Sequence, residues 1–171
     1  AYLAAVLELL QERLPANQLI VQERTMSEAE REAFLERFSA DNQETLIGLA
    51  VMGGIFGEGI DLVGERLIGV VIVGVGVPQL GLERDLIKEY FDNQDGSGFA
   101  YAYQFPGFNR VLQATGRVIR TETDRGVIVL IDERFTHGRY RQLFPSHWRG
   151  YEVVKSTGEM RAKLARFWLR A

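Results

Sequence analysis

Arg117 and Arg120 stand three residues apart in the run QATGRVIRTETDRG, Gln113 to Gly126, just ahead of an apolar stretch. Positions three apart on a helix share a face, so this spacing predicts two guanidinium groups side by side on one turn. Gly116, immediately before them, lets that turn pack closely. A guanidinium is always charged and grips phosphate oxygens through paired hydrogen bonds. Two of them aimed into a cleft suit the charge spread over a transferring γ-phosphoryl group. The same pair would also serve as surface arginines in screened ion pairs with Glu122 and Asp124, and spacing alone does not separate the two.

A second candidate is GGIFGEGID, residues 53–61, with four glycines in nine positions. Backbone N–H groups freed of side chains can approach a phosphate or a sugar-phosphate chain. Glu58 and Asp61 add carboxylates able to accept from a ribose hydroxyl or orient an arginine. A tight strand-to-helix crossover would use the same glycines.

Other features carry less. The aromatic run FAYAYQFPGF, 99–108, has rings that could stack on bases, although strand and core explain it more simply. Arg134, Arg139, Arg141 and Arg149, around Trp148, could follow a phosphate backbone or lie solvated at the surface. VIVLIDERF ends an apolar strand in Asp132-Glu133, a poor metal site without a phosphate-cradling loop to bring nucleotide there. VGVGVP has G-x-G without a third glycine and reads as a strand exit. His137 and His147 have no ligand partners at metal spacing, so no metal site is expected.

These groups must be positioned by a recognisable order of elements. Apolar residues at 3, 6, 7, 10 and 14 predict a first helix, stopped by Pro15. QLIVQ (18–22) is a short strand. Ser27 and Glu30 form a capping box opening a helix to about Phe38, with Phe34, Leu35 and Phe38 facing inward. TLIGLAVM (45–52) and LIGVVIVGV (67–75) read as buried strands, and the second is continuously apolar, as a buried parallel strand should be. GLERDLIKEYFDN is helical, DGSG a turn, FNRVLQATGRVIR a helix, and GVIVLID (126–132) another strand. Ser156 and Glu159 box a last helix. Alternating helices and apolar strands predict an α/β fold with a mainly parallel sheet flanked by helices on both faces. Ligands then sit beyond the carboxyl ends of strands, where the 53–61 loop begins.

Composition sets the frame. The 171 residues, 46% hydrophobic and 25% charged, suffice for one globular domain. No run of about 18 apolar residues occurs, so no membrane partner is expected. The absence of cysteine excludes disulfides and thiolate metal sites within the chain, which fits a reducing cytoplasm. Residues 1–106 carry 7 basic and 17 acidic side chains, whereas 107–171 carry 13 and 6. The basic second part could face an anion such as nucleotide or nucleic acid, or simply neutralise the first.

Taken together, GGIFGEGID, LIGVVIVGVGVP and QATGRVIRTETDRGVIVLIDERF resemble the second, C-terminal RecA-like motor domain of superfamily-two helicases of the DinG and XPD type. GEGID looks like motif V of that family, and QATGRVIR fits its motif VI, glutamine–x–x–glycine–arginine–x–x–arginine. The likeness runs from about Leu19 to Trp148 and, with SEAEREAFLERF, is closest to bacterial DinG-like proteins. It implies a three-layer RecA-like fold and an ATP-dependent DNA helicase. Arg117 and Arg120 would act as catalytic residues on the γ-phosphate, with Gln113 and Gly116 in the same nucleotide site. Glu58, Gly59 and Asp61 would link that site to single-stranded DNA. Family members typically move 5′ to 3′, and many carry an iron–sulfur cluster in the first motor domain.

The departures are equally informative. No G-x-x-x-x-G-K-[ST] occurs, and neither does a D-E-A-H-like box, the cluster cysteines or the strand with motif IV. The chain is therefore expected to be one C-terminal motor domain, 1–171, of a longer protein. ATP and Mg²⁺ would be held mainly by the missing first RecA-like domain, its partner, and the piece alone would be inactive. A stand-alone α/β nucleotide- or nucleic-acid-binding module without motor chemistry is the alternative. The same motifs leave RNA as a possible substrate, since they touch phosphate and sugar rather than base edges.

Overall fold

A computed structural model describes residues 2–23, 25–54, 62, 66–119 and 121–169. The chain divides into two compact units, one running to His137 and one from Gly138.

In the first unit, helix α1 spans Tyr2–Gln11 and buries none of its residues. Strand β1 (Leu19–Val21) pairs in parallel with β2 (Ile47–Leu49), Leu19 opposite Ile47 and Val21 opposite Leu49. Between them lies α2 (Glu28–Glu36). Its capping box is complete: Glu30 N–H donates to Ser27 Oγ at 3.4 Å, and Ser27 N–H donates to the Glu30 carboxylate at 2.7 Å. That exchange satisfies two backbone donors that a helix start leaves orphaned. Phe34 is buried, whereas Leu35 and Phe38 are half-buried.

The second parallel pair is β3 (Gly69–Val73) with β4 (Val127–Ile131), in register from Gly69–Val127 to Val73–Ile131. Parallel strands must be joined by a crossover, and here α3 (Leu82–Asp95) and α4 (Phe105–Thr115) lie within it. The α/β expectation, parallel strands flanked by helices, therefore holds. Burial on both faces of 67–75 does not. Ile72 is buried, but Val71 and Val73 on the other face are 61% and 43% exposed. Alternation of side chains across a strand puts those two valines on the one face of β3 that stays open.

The aromatic run is helical rather than a strand. α3 ends at Gly96, in the left-handed conformation at φ +74, and Gly98 N–H donates to Asp92 Oδ1 at 2.9 Å. The chain then enters a π-turn, Ala100–Gln104, that runs directly into α4. Tyr101 stacks on Phe91 of α3 at 3.9 Å between ring centroids and meets Phe105 edge-on at 5.2 Å. Mutual ring packing, not strand propensity, decides this segment. Ala102, Tyr103, Phe108, Val111 and Val118 join Ile72 and Val75 in the core.

In the second unit, α5 (Gly138–Arg141) carries buried Tyr140, and Phe144 meets Trp148 and Tyr151 edge-on at 5.4 and 5.3 Å. Helix α6 (Thr157–Leu169) is opened by Ser156, whose Oγ accepts from Glu159 N–H at 3.1 Å. Lys163 pairs with Glu152 across the entry to that helix.

Candidate nucleotide and nucleic-acid interface

Motif VI begins on α4 and leaves it. The helix ends at Thr115, so the expectation that it would carry both arginines is corrected. Gly116 is the C-cap, its N–H donating to Leu112 O at 2.9 Å. Arg117 and Val118 continue in tighter bonds, to Ala114 O at 3.3 Å and Thr115 O at 3.1 Å. The cause is Val118, which is 2% exposed and packs its Cγ1 against Gly126. Gln113 and Gly116 are exposed and Arg117 is half-buried, while Arg120 lies outside the described residues.

The polarity of α4 places this turn. Near its start, Gly107 meets Gly76 just past the carboxyl end of β3. At its far end, Val118 meets Gly126, which precedes β4. The helix therefore runs antiparallel to the strands, and the Gly116–Arg117 turn lies at their amino ends. It does not share the carboxyl-end rim where the glycine loop opens.

The loop after β2 is described only to Gly54, and again at Leu62; Glu58, Gly59 and Asp61 fall outside the described residues. Its flanks are held tightly. Gln22, beyond the end of β1, accepts from Val51 N–H at 2.9 Å. Gly53 has φ +78, and a β-carbon there would lie 2.9 Å from Nε of Arg110 on α4. Arg110 Nη1 donates to Gly76 O at 3.3 Å. On the far side, Leu62 is buried, and Arg66 donates to Phe38 O at 2.6 Å and Leu35 O at 3.3 Å. Leu35 lies in the last turn of α2 and Phe38 two residues beyond it, so Arg66 ties the exit of that helix to the far side of the loop. Gln22, Arg66 and Arg110 have no motif signature. Only the spacing of Arg110, three and seven residues before Gln113 and Arg117, hinted at one flank of α4.

Asp132 is fully engaged. Both its oxygens accept from Arg134, at 2.8 Å from Nε and 2.7 Å from Nη2, and Oδ1 also caps the turn Glu133–Thr136 through Arg134 N–H at 2.9 Å. The Arg134 side chain holds the Asp132 carboxyl below the usual carboxylate range. An aspartate so occupied caps a turn, and Arg134 is correspondingly not a free phosphate contact. Arg139 lies over the Tyr140 ring at 5.8 Å and Arg141 over Tyr151 at 5.4 Å. His147 meets Trp148 edge-on at 6.3 Å. Among the described residues, no group of three or more His, Asp or Glu side chains is placed to hold a metal ion. The exposed aromatics beside α3 sit next to a helix with five acidic side chains against two basic ones, Arg84 and Lys88, and Lys88 is paired with Asp92, a balance that disfavours phosphate there.

Parallel strand pairs with crossover helices, together with the sequence motifs G-E-G-I-D after β2 and Q-x-x-G-R-x-x-R from the end of α4, point to the C-terminal domain of a helicase. The chain belongs to the helicase C-terminal domain family, which matches residues 1–151. It is 34% identical over 146 residues to regulator of telomere elongation helicase 1 of Bos taurus, covering 80% of this chain and 12% of that protein. It is 35% identical over 89 residues to the ATP-dependent DNA helicase DinG of Photobacterium profundum, covering 51% of this chain and 13% of that one. A solved XPD helicase superposes with a TM-score of 0.60 at 22% identity, over 81% of this chain and 25% of that chain, which establishes the shared fold. The chain thus spans about an eighth of the length of these curated relatives. No helix among the described residues is long and apolar enough to cross a membrane.

Proposed function

We propose that residues 1–171 act as the C-terminal motor domain of an ATP-dependent DNA helicase that translocates 5′ to 3′ on single-stranded DNA in the cytoplasm. The observation that carries this reading is the motif VI turn, with Gln113 exposed at the end of α4 and Arg117 four residues on, in a member of the helicase C-terminal domain family. Its position at the amino ends of the strands suits a lobe that finishes another domain's pocket.

In this reading the first RecA-like domain of the same protein holds ATP and Mg²⁺. Arg117 and Arg120 reach the γ-phosphate when the lobes close, and Gln113 and Gly116 complete that wall. Guanidinium groups stabilise charge that builds in the transition state, which is where binding energy accelerates a reaction. Glu58, Gly59 and Asp61 carry the state of the nucleotide to the DNA strand. An iron–sulfur cluster would belong to the first domain, since this chain has no cysteine.

The test is ATP hydrolysis by the full-length protein with and without single-stranded DNA, followed by strand separation on matched DNA and RNA duplexes with 5′ or 3′ tails. DNA-stimulated hydrolysis and unwinding of 5′-tailed DNA are expected. Hydrolysis indifferent to any nucleic acid would sink the motor reading in favour of a binding module.

A further inference from the structure

We infer that Arg110 is a positioning residue that mechanically joins the loop after β2 to helix α4, and so joins the DNA side of the lobe to its ATP side. The coupling to DNA and ATP rests on the function proposed above; the mechanical link rests on contacts alone.

The half-buried Arg110 guanidinium sits where two strand exits converge. One is Gly53, at φ +78, where a β-carbon would lie 2.9 Å from Nε and 3.0 Å from Cδ of Arg110. The other is Gly76, whose carbonyl accepts from Nη1 at 3.3 Å. The exits belong to different strand pairs, β1–β2 and β3–β4. Arg110 therefore bridges two pairs that share no backbone ladder among the described residues. On the opposite flank the loop start is held by Gln22, which accepts from Val51 N–H. Movement at 53–54 thus meets Gln22 on one side and α4 on the other.

On α4, Gln113 follows Arg110 by three residues and so shares its face, and Arg117 lies in the turn that closes the helix. A helix transmits displacement as a stiff body. A shift at Gly53 is therefore passed through the Arg110 stem to the far end of α4 and the turn after it, where Arg117 lies. Gly107, three residues before Arg110, seats the start of the helix against Gly76.

Two measurements test this. The first is amide hydrogen exchange over residues 51–54 in Arg110→Ala and Arg110→Lys, which reads the mechanical link without reference to activity. Exchange is expected to quicken about tenfold in the alanine variant and less in the lysine variant, as loss of local restraint predicts. Unchanged exchange in both would overturn the link. The second is the ratio of DNA-stimulated to basal ATP hydrolysis in the full-length protein. That ratio should fall about tenfold in Arg110→Ala, with more DNA needed for half-maximal stimulation, since coupling between two sites is a measurable free energy. An unchanged ratio with quickened exchange would overturn the coupling and keep the link. A wild-type protein with no DNA stimulation at all would instead overturn the proposed function and, with it, the coupling, leaving the exchange result to decide the link. Gly53→Ala, which places a methyl against Arg110, should reproduce the exchange effect.

Discussion

Gly76 and Gly107 meet backbone to backbone. A β-carbon on Gly76 would lie 2.5 Å from Gly107 O, and one on Gly107 would lie 2.7 Å from Val75 O. This contact sets α4 against the exit of β3 and hence fixes where motif VI ends up. Gly107→Ala adds helix propensity worth up to about 1 kcal/mol. It also drives a methyl into rigid backbone, an overpacking cost of roughly 1–3 kcal/mol. The clash should win, and urea unfolding of Gly107→Ala is expected to show a net loss near 1 kcal/mol. Gly76→Ala should lose more, because φ +68 adds strain for any residue with a β-carbon. Equal or greater stability in both variants would mean that the contact is not made.

The capping of α2 and α6 could be read directly from Ser27–Glu30 and Ser156–Glu159, because a cap is local: donor and acceptor lie three residues apart. Strand identity was similarly legible, since the apolar runs at 67–75 and 126–132 are long enough to declare themselves. Three things were not. The clamp of Gln22, Arg66 and Arg110 joins side chains to backbone across 28 to 34 residues, and no pattern in one sequence encodes such pairs. The FAYAYQFPGF helix was hidden by aromatic residues with strand propensity, whose partners on α3 decide the matter. The end of α4 depends on where Val118 is buried, which only the packing against Gly126 reveals.

Val118 anchors the motif VI turn from beneath. It is 2% exposed, so Val118→Ala removes two methyl groups from a filled site. A loss of about 2 kcal/mol is expected from transfer and cavity terms together. Because the turn carries Arg117, ATP hydrolysis by the full-length variant should fall further than the unfolded fraction explains. Activity that simply tracks the folded population would limit Val118 to a packing role.

The Asp132–Arg134 pair predicts a pH signature. The folded-state pKa of Asp132 is depressed, first by the Arg134 side-chain hydrogen bonds. Its contribution is therefore present above the unfolded carboxyl value of about 4 and disappears as pH falls through the lower folded value. Asp132→Asn keeps a capping oxygen and removes the charge. The variant should be less stable than wild type at pH 7, and the two denaturation midpoints should converge as pH drops below about 4. A gap that stays constant down to pH 3 would show that shape, not charge, is what Asp132 supplies.

The arginine pair gives the sharpest kinetic expectation. If Arg117 and Arg120 act on charge that develops in the transition state, Arg117→Ala and Arg120→Ala in the full-length protein lose turnover while ATP binding changes little. Removing an arginine of this kind slows hydrolysis by roughly 10³–10⁵. An unaltered ATP affinity separates this role from ground-state binding, which would raise KM with kcat retained. Lysine should rescue poorly, because a point charge on a flexible stem cannot reproduce a two-pronged hydrogen-bonding edge. Single-turnover hydrolysis, measured beside binding of a slowly hydrolysed ATP analogue, reads both quantities on one sample. Wild-type turnover by Arg120→Ala removes that residue from the mechanism. Loss of analogue binding in step with turnover reassigns the pair to holding ATP before the chemistry begins.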